Sequence, residues 1–291
     1  MASNPMHDQL EQVELLDARQ FQIVVKRLAD SLSYGTDRSP FLGSGLEYVQ
    51  SRVYQPGDPV RAIDWRVTAR TGRVHVKEHE SPKRMPVYLL IDTSASMVVS
   101  SVRRSKYETA LHVAGGIALA CLERVSPVGV VGVGGSELFV RPSLARTQIM
   151  QWLLELRRFR FDEPTMLGTR IGELLPSLGQ RALVVVLSDL HDPSAKKALE
   201  RLAQRHDSAV IQLRDPAEDD LRGAGFLRAR EAESGREFYT HGRREHHDQE
   251  GVEEGLRQAG IDHMVLRTDQ PYVHALRHFL ESRGLLGRSA R

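Results

Sequence analysis

Two uninterrupted apolar runs rich in β-branched and aromatic or aliphatic residues, Val87-Tyr88-Leu89-Leu90-Ile91 and Ala182-Leu183-Val184-Val185-Val186-Leu187, stand out along the chain. Neither run alternates, so each reads as a strand buried on both faces, the pattern of the middle of a parallel sheet. Each leads into a carboxylate, Asp92 in the first case and Asp189 in the second. Val128 to Val133 and Ala209 to Leu213 read as further strands, Met264 to Leu266 as a short one, and Glu137 to Val140 as a hairpin partner at the sheet edge. Helical spacing fills the intervals: Tyr107 to Arg124, Leu144 to Phe159, Leu167 to Leu178, Ser194 to Arg205, His247 to Gln258 and Tyr272 to Ser282. This alternation predicts an α/β fold over residues 85–291, a doubly wound and mostly parallel sheet with helices on both faces. Gly115 and Gly116, inside the first of those helices, should each cost about 1 kcal/mol relative to alanine. Close packing on the sheet is the expected compensation.

Residues 1–84 have a different rhythm. Leu15, Phe21, Ile23, Val24, Leu28 and Leu32 predict an amphipathic helix. Leu46 to Val53 alternates loosely like a strand, Pro56-Gly57-Asp58-Pro59 is a turn, and Val74 to Glu78 alternates clearly. A helix followed by short strands and turns, including the stretch Ile63 to Arg70, is therefore expected here, packed on the main domain because it has too little apolar area to stand alone. Phe226 to Tyr239 reads as a polar segment with weak strands.

Composition narrows the class. With 291 residues, 41% hydrophobic and 27% charged, the chain has material for one large domain with a smaller appendage. A formal net charge of +2 gives a polyanion little to bind, so nucleic acid is not an expected partner. The single cysteine, Cys121, sits among apolar neighbours and reads as a packed core thiol. No apolar run approaches the roughly 18 residues needed to cross a bilayer, and Met1 to Leu10 lacks a signal-peptide apolar region. A cytoplasmic location without a membrane span is expected.

The chemistry gathers at the ends of the two buried strands. Asp92, Ser94 and Ser96 follow the first at alternate positions, and ligands of parallel sheets bind beyond the carboxyl ends of the strands. All three offer hard oxygen atoms, which suit Mg²⁺ or Mn²⁺ better than zinc. Taken alone, such a run equally well ends a strand and caps the next helix. Asp189 after the second strand, and Thr165 in Glu163-Pro164-Thr165-Met166-Leu167-Gly168-Thr169, complete a set that resembles the metal-ion-dependent adhesion site of von Willebrand factor A domains. The resemblance implies that Asp92, Ser94, Ser96, Thr165 and Asp189 hold a divalent ion, Mg²⁺ or Mn²⁺, directly or through water, and leave one coordination position for an acidic group of a protein partner. Thr169 is the alternative to Thr165.

The upstream motifs Gly43-Ser44-Gly45-Leu46-Glu47-Tyr48, Arg52-Val53-Tyr54-Gln55-Pro56-Gly57-Asp58, Val60-Arg61-Ala62-Ile63-Asp64-Trp65 and Thr68-Ala69-Arg70 resemble bacterial proteins of the domain-of-unknown-function family fifty-eight. Members are commonly encoded beside MoxR-type AAA+ ATPases, so the resemblance implies such an ATPase as partner, with Gly43, Gly45, Glu47, Arg52, Asp58, Asp64, Trp65 and Arg70 as further partner-binding residues. Many relatives carry N-terminal membrane segments, and this sequence shows none. Competing chemistries lack their parts. There is no Gly-x-Ser-x-Gly elbow around Ser94, no second aspartate two residues after Asp92 and no Gly-x-x-x-x-Gly-Lys-Ser/Thr. His191-Asp192 reads as a solvated loop pair, tuning of a metal site being the minor alternative. The expectation is a non-catalytic, metal-dependent protein-binding adaptor; the rival, a metal-dependent hydrolase, would need a general base that these motifs do not supply.

Overall fold

The computed structural model describes residues 18–33, 47–56, 58, 60, 63–80, 85–158, 163–219, 226–230, 237–241 and 249–282. Helix α1 (Ala18–Ser33) comes first. Strand β1 (Glu47–Val53), helix α2 (Trp65–Thr71) and strand β2 (His75–Glu80) follow, with β1 and β2 paired antiparallel. The stretch expected to give short strands and turns thus contains a helix, and its ends explain why. Asp64 Oδ1 accepts hydrogen bonds from the backbone N–H groups of Arg66 and Val67, both at 3.1 Å, satisfying donors that a helix start leaves open. Gly72, at φ 70°, closes the other end by donating its N–H to the Thr68 carbonyl.

The main body begins with β3 (Val87–Ile91) and α3 (Lys106–Glu123), then β4 (Val128–Gly132), β5 (Phe139–Ser143), α4 (Arg146–Leu156), α5 (Leu167–Leu174) and β6 (Leu183–Ser188). It continues through α6 (Ala195–Ala203), β7 (Asp207–Arg214), α7 (Pro216–Asp219), β8 (Phe226–Arg230), β9 (Glu237–His241), α8 (Gln249–Gln258), β10 (Asp262–Arg267) and α9 (Val273–Ser282). Six strands form one sheet in the order β10-β7-β6-β3-β4-β5, parallel except for β5, which runs antiparallel to β4 at the edge. The fold is α/β with a mostly parallel sheet flanked by helices, as the alternation of strand and helix predicts. Strands β8 and β9 form a separate hairpin. Among the described residues, no helix is long and apolar enough to cross a membrane.

The two central runs are apolar at every position because both of their faces are covered. Val87, Leu89 and Ile91 of β3 join one core with Leu111, Ile149 and Leu276 of the helices on that side. Tyr88 and Leu90 join a second core with Ile171, Leu199 and Leu256 on the other. Helix α1 belongs to the first core, where it buries Val25, Leu28 and Leu32. It also accounts for the two glycines of α3. A Cβ at Gly115 would come within 2.7 Å of Val25 Cγ1, and one at Gly116 within 2.7 Å of Leu28 Cγ. The close packing expected against the sheet is therefore made with α1 instead. Arg277 of α9 secures the same helix by donating to the Ser31 carbonyl. Cys121 faces this core, and burial pushes its thiol up to about 12, out of the reactive range.

Two outcomes follow from this packing. Gly116→Val must displace Leu28, and overpacking of this kind costs about 1–3 kcal/mol. The variant should unfold at lower urea concentration than the wild type; equal stability would mean that α1 is not seated on α3. His112 of α3 is buried, and burial, with Arg104 and Arg157 adding, lowers its pKa from the usual 6.5 to about 4. Between those values the unfolded chain binds the proton more readily, so this contribution to stability is complete above pH 6.5 and is lost as the pH falls toward 4, by about 1.4 kcal/mol per unit at most. Urea denaturation at pH 7 and pH 5 should show a smaller loss for His112→Leu than for the wild type, and an equal loss would refute the assignment.

Candidate functional site

Strand register brings the predicted residues toward one another. β3 and β6 are parallel neighbours with Ile91 opposite Leu187, and the Asp92 N–H donates to the Leu187 carbonyl at 2.9 Å. Asp92 and Ser188 therefore leave the sheet side by side, at the roughly 4.8 Å spacing of adjacent strands. The Asp92 carboxylate is fully buried. Its Oδ1 accepts from the Ser94 N–H at 3.0 Å, and its Oδ2 accepts from Ser188 Oγ at 2.5 Å and from Thr165 Oγ1 at 3.4 Å. Ser94 Oγ and Ser96 Oγ share a hydrogen bond of 3.1 Å.

Thr165 is delivered by a loop stitched at three points. The Ala95 N–H donates to the Glu163 carbonyl at 2.9 Å and the Met166 N–H to the Val133 carbonyl at 2.8 Å. The Glu163 carboxylate accepts from the Ser136 N–H at 2.6 Å and from Ser136 Oγ, joining this loop to the one after β4. Thr169, inside α5, is exposed.

Asp189 has a different environment. Its Oδ2 accepts from Lys106 Nζ at 2.8 Å and lies 3.2 Å from His191 Nδ1, while Oδ1 is 3.4 Å from the His191 N–H. Lys106, at the first position of α3, is 1% exposed and also pairs with Glu218 of α7. Leu190 adopts φ 62°, a left-handed conformation unusual for a branched residue, and donates its N–H to Ser188 Oγ at 3.0 Å. The two carboxylates consequently diverge in charge behaviour. Burial, reinforced by the charge of Asp189, pushes Asp92 up to about 6. Burial also opposes the ionisation of Asp189, but Lys106 and His191 outweigh it and hold that carboxyl well below the usual range. Burial works against the charge of Lys106 as well, and Asp189 and Glu218 more than restore it.

Among the described residues, no basic side chain pairs with Asp92. A buried carboxylate ringed by hydroxyls fits a small hard cation, whose oxygen ligands Asp92, Ser94, Ser96 and Thr165 would supply. The ligand atoms of Asp189, His191 and Glu218 also lie within 4.8 Å of one another, but there the cation is the Lys106 ammonium itself.

The upstream residues have mainly architectural partners. Arg52 forms a bidentate pair with Asp58 at 2.7 Å on each arm, and this guanidinium holds the Asp58 carboxyl down at about 2. Asp64 caps α2 and accepts from Ser51 Oγ at 2.7 Å. Trp65 is 67% exposed and Arg70 is exposed. Glu47 opens β1, but its side chain lies outside the described residues, as do Gly43 and Gly45 altogether.

Sequence reasoning misplaced one pair and missed three residues. His191-Asp192 is not a solvated loop pair. His191 touches Asp189, and Asp192 accepts from the N–H groups of Gly168 and Ser194, both at 2.8 Å, tying the start of α5 to the start of α6. Ser188, Lys106 and Glu218 went unnoticed. Ser188 immediately precedes Asp189 and was discoverable from strand pairing. Lys106 lies within the capping sequence Ser105-Lys106-Tyr107-Glu108, where Ser105 Oγ accepts from the Glu108 N–H. A lysine at that point opposes the helix dipole, which was the available signal. Glu218 offered none.

Similar proteins exist in mycobacteria. Uncharacterized protein Rv1480 of Mycobacterium tuberculosis and uncharacterized protein Mb1516 of Mycobacterium bovis are each 28% identical over 284 residues, covering 91% of this chain and 88% of the relative. Among solved structures, the crystal structure of an uncharacterized membrane spanning protein from Vibrio fischeri matches 69% of this chain and 98% of that one, at 16% identity and a TM-score of 0.24. The family described as "Protein of unknown function DUF58" matches residues 50–254, and the chain belongs to it.

Proposed function

We propose that this protein is a non-catalytic, divalent-metal-dependent protein-binding module with a von Willebrand A-like domain. The supporting observation is the convergence of Ser94, Ser188 and Thr165 on the buried Asp92 carboxylate at the mouth of the sheet. Asp92, Ser94, Ser96 and Thr165 would hold Mg²⁺ or Mn²⁺, with Asp189 contributing its charge from the neighbouring strand. The ion supplies a Lewis-acidic seat for a carboxylate of the partner. The chain's own residues position that seat, with Ser188 and Thr165 orienting Asp92 and the Glu163–Ser136 contact fixing the loop that bears Thr165.

A hydrolase built on the same site would need a base to activate water. None of the residues assigned to the ion is an imidazole or an amine, and His191 turns its Nδ1 to Asp189 at 3.2 Å. In this reading the partner would be a MoxR-type AAA+ ATPase, as the family resemblance implies, and the module would act in the cytoplasm as an adaptor in complex assembly or maturation. The exposed Trp65 and Arg70 extend the contact surface.

Thermal unfolding with and without Mg²⁺ tests the metal dependence. At a concentration about 100-fold above Kd, Mg²⁺ should stabilise the wild type by about 2.7 kcal/mol. Asp92→Asn, which keeps the shape of the site, should gain nothing. In a pull-down with the purified ATPase, EDTA and Asp92→Asn should each abolish capture of the partner by the wild-type surface, and Mg²⁺ should restore it only where Asp92 is intact. Capture that is unchanged in EDTA would contradict the proposal.

A further inference from the structure

Among the described residues, Lys106 is the most unusual charge outside those assigned to the metal. A lysine at the start of an α-helix faces the positive end of the helix dipole, and removing an ammonium from water is costly as well. Lys106 nevertheless lies 1% exposed at the first position of α3. Two carboxylates from different parts of the fold hold it there, Asp189 after β6 at 2.8 Å and Glu218 in α7. Its surroundings are anchored independently. Asp215, three residues before Glu218, accepts from the Ser101 N–H at 2.9 Å and from Ser100 Oγ at 3.2 Å, so α7 is tied to the loop that leads into α3. The ammonium is thus fixed on Asp189 Oδ2, an oxygen that also faces His191 Nδ1 at 3.2 Å.

We infer that Lys106 is a resident cation that competes with the divalent ion for Asp189, weakening metal binding and setting its threshold. The inference rests on the metal-dependent reading of the Asp92 site and specifies how that site is regulated. An ammonium in contact with a carboxylate neutralises the charge that would otherwise attract the ion, and it repels the ion directly. Glu218 gives Lys106 a second counter-ion, so the lysine can yield Asp189 without being left as an unpaired buried charge. Lys106 is accordingly a positioning residue: it acts on the metal through Asp189 and is not itself a ligand.

The test is Mn²⁺ affinity, measured on the whole chain by calorimetry and by paramagnetic resonance of the free ion. Lys106→Met should bind Mn²⁺ at least about tenfold more tightly than the wild type, and Lys106→Arg, which keeps a cation, should not. The double variant Lys106→Met with Glu218→Gln removes one charge of each sign. It leaves the net charge of the site unchanged, is better suited to folding than the single variant, and should also bind more tightly. Should neither variant fold, the wild type still decides the matter, because saturating Mg²⁺ should shift the side-chain nitrogen resonance of Lys106. Wild-type affinity equal to that of the variants, or an unmoved Lys106 resonance at saturation, would overturn the inference and leave the metal-dependent module standing. Binding by Lys106→Met but not by the wild type at any concentration would overturn both, since the native protein would then have no metal threshold for Lys106 to set. No binding by any form would overturn both.

Discussion

A buried carboxylate that meets no basic side chain among the described residues is hard to keep ionised, and the organisation of the sheet mouth follows from how Asp92 meets that constraint. Its oxygens accept from Ser94, Ser188 and Thr165, which come from the loop after β3, the last position of β6 and the loop before α5. The loop before α5 is in turn fixed to the loop after β3 through the Glu163 carbonyl, and to the loop after β4 through the Val133 carbonyl and the Ser136 contact. Hydroxyls and one amide N–H soften the charge without cancelling it, and the pKa of Asp92 stays raised. The loop after β3, the end of β6 and the loop before α5 therefore share one centre, and a cation placed there would relieve the electrostatic strain they leave.

Asp189 shows the alternative solution to the same problem. It leaves the adjacent strand of the same sheet, yet Lys106 compensates it, so one carboxylate is paired with an ammonium while the other is met by hydroxyls and an amide N–H. Because the two acids sense each other, the lysine also affects Asp92, through Asp189. On the proposed reading, a divalent ion at Asp92 would have an affinity set by competition with Lys106 as well as by its ligands.

Much of this was legible in the amino-acid sequence. The unbroken apolar runs of β3 and β6 report that both faces of the sheet are covered, and the acids at their ends report the mouth of the sheet. Local signals failed where long-range contacts decide. Gly115 and Gly116 indicate close packing, but only the folded chain shows that Val25 and Leu28 are what they pack against. The helix Trp65–Thr71 is short and depends on its Asp64 cap, so periodicity had little to detect. Lys106 and Glu218 are 112 residues apart, and nothing in the composition or spacing of either pairs them with Asp189.

The central claim is that a divalent ion sits on Asp92 and the hydroxyls around it. Anomalous diffraction from crystals of the whole chain grown with Mn²⁺ tests it most directly. The account predicts a single strong anomalous peak within bonding reach of Asp92, Ser94, Ser96 or Thr165, at roughly 2.1–2.2 Å from the coordinating oxygens. A peak at Asp189, His191 and Glu218 in place of the Lys106 ammonium, or no peak at the sheet mouth at saturating Mn²⁺, would contradict it.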